Sequence, residues 1–223
     1  MASKVEICNM ALSSLGSKQT IQDIEGDQSV EARTCRLHYD QALLTTLYAS
    51  DWSFATRDNT SAKITSYAPA DWNYVYAWPA KAVRILGIVD PLGSRLLTPL
   101  KWRTIMYNGN RVVLTDTEAP VWRFIFENDD PTTYTPAFID TLVAQLASRI
   151  AIPLTRKLEL RDFALKLYQQ MLSAAAAHDA NENFDGDEPD YTAQWFTDRG
   201  YTSTKTTRAV DADGNIIEIE GRL

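Results

Sequence analysis

The residue types that carry most biological chemistry are scarce in this chain. It holds two histidines, His38 and His178, and two cysteines, Cys8 and Cys35. A histidine works as a base or a metal ligand when a carboxylate, hydroxyl or second ligand stands at the right spacing. Neither histidine has such a neighbour: His38 falls inside a helical pattern, and His178 falls near a helix end, where the dipole favours a cation. The cysteines form no CxxC and have no histidine at ligand spacing, so they read as small buried apolar residues. A disulfide between the helices that carry them is open geometrically, yet nothing points to an oxidising compartment. Carboxylates are plentiful, and Glu31, Asp51, Glu118 and Glu127 are the candidates for a glycosidase pair. No local context favours any two of them. The phosphate loops GxxxxGK[ST] and GxGxxG are absent, as are HExxH and GxSxG. Asp211-Ala212-Asp213-Gly214-Asn215 resembles a calcium loop only superficially. Its glycine comes early and the bidentate glutamate of an EF-hand is missing, so a hairpin turn is expected there. No catalytic, cofactor-binding or metal-binding residue is assigned, no cofactor is implied, and the chain is not expected to be an enzyme.

The residues that remain describe a scaffold. At 223 residues the chain suffices for one large domain or two small ones, with a sizeable core. Its net charge of −7 argues against gripping nucleic acid, which requires clustered Lys and Arg. An acidic wall that DNA slides past is compatible with that charge. Met1–Lys4 is not followed by an uninterrupted apolar run, so no signal peptide is expected. No segment is read as reaching the roughly 20 apolar residues of a membrane span. A soluble product of the cytoplasm is expected, where the sequon Asn59-Thr60-Ser61 would not be glycosylated. Ile219-Glu220-Gly221-Arg222 matches a protease-cleavage tetrapeptide often engineered into proteins, and its native-looking surroundings favour coincidence.

Ser3-Lys4-Val5-Glu6 is a capping box, and Val5, Cys8, Leu12 and Leu15 follow at helical steps until Gly16 supplies a stop. Asp27 is the expected cap of a second helix, on which Val30, Thr34, Leu37, Leu44 and Tyr48 mark one face, widened by Leu43 and Leu47. These two stripes should face each other or another helix pair, and the hairpin is closed by the aromatic pair Trp52 and Phe54. From Ser61 to Asn128 the period changes to two. Asn108-Gly109 between two alternating runs is a type I′ hairpin signal, and Val121–Glu127 carries Trp122, Phe124 and Phe126 on one face. A mostly antiparallel sheet of about four to six strands is expected here. Helices return at Thr135-Pro136, a cap followed by proline at the first helical position. Ile139, Leu142, Val143, Leu146 and Ile150 form the stripe, and Pro153 should end or kink the helix. A further helix covers about 158–177, with Leu160, Phe163, Leu167 and Met171 three or four apart.

The reading is an α+β fold. Residues 1–57 give the first helix pair of an antiparallel four-helix bundle, 58–130 an inserted small β domain, and 131–180 the second pair. Residues 181–223 form an extended arm with a terminal hairpin, Thr206–Val210 against Ile216–Glu220. The arm is acidic and dotted with aromatics. Tyr191, Trp195, Phe196, Tyr201, Ile216 and Ile217 are its candidate contacts with a neighbouring subunit or partner. The alternative is that it folds back over its own domain.

Several blocks of this sequence resemble the tail tubular protein A family, the head-to-tail adaptors of short-tailed phages. They are Ile7-Cys8-Asn9-Met10-Ala11-Leu12-Ser13-Ser14-Leu15-Gly16, then Ile24-Glu25-Gly26-Asp27, a helix with Ala32 and Arg33, and Asp51-Trp52-Ser53-Phe54-Ala55. Trp72–Pro79 and Val83-Arg84-Ile85 look like that family's sheet region. The likeness covers about residues 4–180, and the arm is unmatched. It implies a virion protein made in the host cytoplasm and placed at the head–tail interface. There it would form a homo-oligomeric, twelve-fold ring between portal protein and tail nozzle protein, with tail fibres as further neighbours. DNA would pass non-specifically through the lumen during ejection, and no membrane would be involved. A connector or stopper subunit of a long-tailed phage is the alternative, and a tail-associated hydrolase the distant one.

Overall fold

The computed structural model of the chain describes residues 2–67, 69–89, 100–182, 205–210 and 216–221. Two compact units result, residues 1–183 and 184–223. The first unit is α+β, with four helices and two small three-stranded antiparallel sheets among its described residues.

Helix α1 (Lys4–Ser14) starts at the anticipated capping box: the Ser3 hydroxyl accepts from the Glu6 amide at 3.1 Å, and the Glu6 carboxylate accepts from the Ser3 amide at 2.8 Å. Gly16, at φ +77°, reverses the chain. The connection to helix α2 (Val30–Ala49) is held from both helices. Asn9 of α1 donates to the Ile21 carbonyl and accepts from its amide, both at 2.8 Å, and the Arg36 guanidinium of α2 donates to the carbonyls of Ile24, Glu25 and Asp27. The cap of α2 differs from expectation. Ser29 is the N-cap and accepts from Ala32 at 3.2 Å, whereas Asp27 accepts from the Ser29 amide and shapes the turn before it.

Helix α3 (Pro136–Thr155) is capped by Thr135 as the Thr-Pro pair indicated. Pro153 does not end it. The helix runs two residues further and stops at Arg156, which is left-handed at φ +57°. Helix α4 (Leu158–Glu182) continues past the expected end at about 177. Packing centres on α3, which contacts α1, α2 and α4, while α1 and α2 touch each other little. The buried faces of α1 and α2 therefore pack mainly on α3 and only a little on one another. Nine residues of α3 are buried, and that explains a composition apolar and long enough to cross a membrane, contrary to the sequence reading.

The strands are β1 (Thr56–Asn59), β2 (Tyr74–Ala77), β3 (Ala82–Val89), β4 (Trp102–Tyr107), β5 (Asn110–Thr115) and β6 (Val121–Phe126). They form two sheets where one was expected, ordered β1-β6-β3 and β2-β5-β4. Asn108 and Gly109 both take positive φ and close the β4–β5 hairpin. Strand β6 sends a buried side chain to each face. Ile125 enters the helical core, while Trp122 and Phe124 join Ile85, Tyr76 and Val113 between the sheets. A third small cluster, Val75, Val112 and Leu114, is covered by Ile64, Tyr67 and Trp72. The first sheet thus lies between the helices and the second sheet.

In the second unit, β7 (Lys205–Val210) pairs antiparallel with β8 (Ile216–Gly221).

Candidate functional site

Among the described residues, no three His, Cys, Asp or Glu side chains could hold a metal ion. Glu31 lies in the first turn of α2, Asp51 follows its last turn and pairs with Arg84, Glu118 sits in the β5–β6 connection, and Glu127 follows β6. His38 is half-buried on α2. Burial, helped by the charge of Arg149, pulls its pKa below the ordinary 6.5. His178 is exposed near the end of α4. Cys8 and Cys35 are free, buried thiols that meet where α1 and α2 approach on the core side. Their mutual hydrogen bond holds the Cys8 proton far more tightly than usual and favours the Cys35 thiolate.

The residues picked out as blocks in the sequence turn out to be joints. Trp52 is 1% exposed, and its indole N–H donates to the Thr46 carbonyl at 2.8 Å. That bond satisfies one of the carbonyls left open at the end of α2. Its ring meets Phe138 edge-on at 4.9 Å; Phe54 stands 4.8 Å from Phe138, and Tyr134 completes the cluster 4.9 Å from Phe138. The anticipated aromatic pair therefore joins the first helix pair to the start of α3. Ser53 carries a second link. The buried carboxylate of Asp179, 126 residues away on α4, accepts from the Ser53 hydroxyl at 2.7 Å and from its amide at 3.0 Å.

Two surfaces have the character of interfaces. On α2 the buried face is Ala32, Cys35, Tyr39, Ala42, Leu43 and Leu47. The stripe expected to pack inward faces out, with Val30 57%, Leu37 75% and Tyr48 59% exposed. Small residues on the buried face let α2 approach α3 closely, and that decides which of two apolar faces wins. The second surface is a groove of about 200 Å³ between the end of α1, α3 and α4. Phe163, Leu167 and Met171 form one wall, and Phe163 is 63% exposed.

Of the arm residues singled out in the sequence, Tyr191, Trp195, Phe196 and Tyr201 lie outside the described residues. Ile216 and Ile217 begin β8, in register with Val210 and Ala209. No protein-family model matches the chain, and no curated protein matches it.

Proposed function

We infer that the chain is a structural subunit of a phage virion, a head-to-tail adaptor that assembles as a ring between portal and tail nozzle and lets DNA pass. The observation that carries this reading is the role of the family-like blocks. Leu15-Gly16, Ile24–Asp27 and Trp52–Phe54 serve as a helix stop, a clasped turn and an aromatic joint, structural parts of the kind the wall of a ring would need. In this reading α1–α4 act as one four-helix bundle with the two sheets inserted in sequence between its halves. An adaptor needs surfaces on that bundle, and the outward apolar stripe of α2 supplies one. Residues 184–223 act as the clasp toward a neighbouring subunit or the portal, through Tyr191, Trp195, Phe196 and Tyr201.

Electron microscopy of the purified chain with its cognate portal tests the reading. A twelve-fold ring seated on portal is the expected result, and a chain that never binds portal refutes it. Ending the chain at Asn183 tests the clasp. Unit one should keep its circular dichroism spectrum while ring occupancy on portal falls, and full occupancy would remove the clasp from the account.

A further inference from the structure

We propose that the seam between α2, α3 and α4 at Arg149 binds a small oxyanion, with inorganic phosphate as its ligand. Arg149 stands half-buried on α3 and reaches α2, where its Nη2 donates to the Thr45 hydroxyl at 2.9 Å. Its Nε–H is buried and has no acceptor. Nor does the guanidinium take part in an ion pair among the described residues. A guanidinium keeps its charge at any pH a cell meets. Holding that charge partly out of water without a counter-ion is costly, and an anion at its open end offsets the cost.

The groups around Arg149 are donors without partners. Its charge acts on His38 of α2 and on Tyr168 of α4, so the three side chains come together across three helices. Neither the imidazole nor the Tyr168 hydroxyl makes a hydrogen bond among the described residues. Arg149 is the charged group that acts on each of them. The positions one turn away on the same faces are uncharged: Thr34 and Gln41 beside His38, Ala164 and Leu172 beside Tyr168, and Gln145 beside Arg149. Packed helices lie roughly 8–10 Å apart, so a ligand that touches donors on three of them is small. Gln145 narrows the choice of anion. It is 6% exposed, and its Oε1 is a buried acceptor without a donor. Hydrogen phosphate offers oxygens to the donors and a hydroxyl to that acceptor, whereas sulfate and chloride have no proton to give near neutral pH.

The site stands apart from the adaptor reading, and portal plays no part in its test. Full-length protein is titrated with sodium phosphate at pH 6, with sodium chloride holding the ionic strength constant. The ring protons of His38 are followed by NMR, and the exposed His178 serves as the internal reference. The His38 signal should move and saturate, with a dissociation constant on the order of 1 mM. An anion beside an imidazole favours its cation, so saturating phosphate should raise the His38 pKa by at least about half a unit. By linkage, phosphate then binds the protonated form about threefold more tightly. Arg149→Met removes the cation and should abolish saturation. Tyr168→Phe loses the hydroxyl alone and should weaken phosphate at least about threefold. Circular dichroism checks both folds, and if Arg149→Met does not fold, Tyr168→Phe decides. Sulfate should bind more weakly than phosphate. A His38 signal that drifts without saturating, a variant that binds phosphate as wild type does, or sulfate equal to phosphate overturns the proposal. The adaptor reading fails on portal binding instead, so either can fall without the other.

Discussion

Replacing Trp52 by alanine should cost unit one about 4–6 kcal/mol. The side chain is buried, and deletion of a large buried aromatic costs about 3–5 kcal/mol through lost transfer and the cavity left behind. The bond from its indole to the Thr46 carbonyl adds about 1 kcal/mol, because that carbonyl is then left without its partner at the end of α2. Trp52→Phe separates the two terms. It keeps an aromatic against Phe138 and should cost about 1–2 kcal/mol, mostly from the lost hydrogen bond and the smaller ring. Urea unfolding followed by far-ultraviolet circular dichroism reads both variants. With a slope of roughly 2 kcal/mol/M, the alanine midpoint should fall by about 2–3 M with the slope unchanged. A double-mutant cycle with Phe138→Leu should return a coupling of about 0.5–1.5 kcal/mol for the edge-on pair. A loss below about 1 kcal/mol for Trp52→Ala, or no coupling to Phe138, would refute the view of this cluster as the joint between the first helix pair and α3.

Asp179→Ala should destabilise unit one by about 2 kcal/mol, since it removes charge-assisted hydrogen bonds to Ser53. Hydrogen exchange should show faster opening near the end of α4, and unchanged protection there would contradict the link. His38 has a folded pKa below its ordinary 6.5, so the unfolded chain binds its proton first on acidification. Its contribution is fully present above pH 6.5 and is lost as pH falls below that value, and His38→Gln should flatten this part of the stability profile. The buried Tyr39 hydroxyl makes no hydrogen bond, and the Tyr134 hydroxyl near it donates to the Asn128 carbonyl. Tyr39→Phe should therefore leave the urea midpoint unchanged or raise it, and a clear fall would show that the hydroxyl has a partner.

Local hydrogen-bonding signals in the sequence mapped well onto the structure. The Ser3–Glu6 box, the Gly16 stop, the Thr135-Pro136 start and the Asn108-Gly109 turn all depend on residues within a few positions of each other. The second helix was harder because it carries two apolar faces. The larger side chains of Val30, Leu37 and Tyr48 drew attention, while Ala32, Cys35 and Ala42 buried themselves because close approach to α3 rewards small residues. The split into two sheets was not legible, since the pairing of β6 with β1 and β3 is decided by partners far along the chain. No local pattern announces the Asp179–Ser53 bond either.

The central place of α3 also sets an order of events during synthesis. The strands of β1–β6 can pair within residues 56–126, but Ile7, Leu12 and Leu47 find their partners Leu146 and Ile150 only after α3 has been made. At roughly 5–20 residues per second, α1 and α2 wait on the order of ten seconds beside a growing chain with their apolar faces uncovered. That delay is the chain's period of greatest exposure to aggregation, and a ribosome halted before residue 136 should display paired strands with unprotected helices.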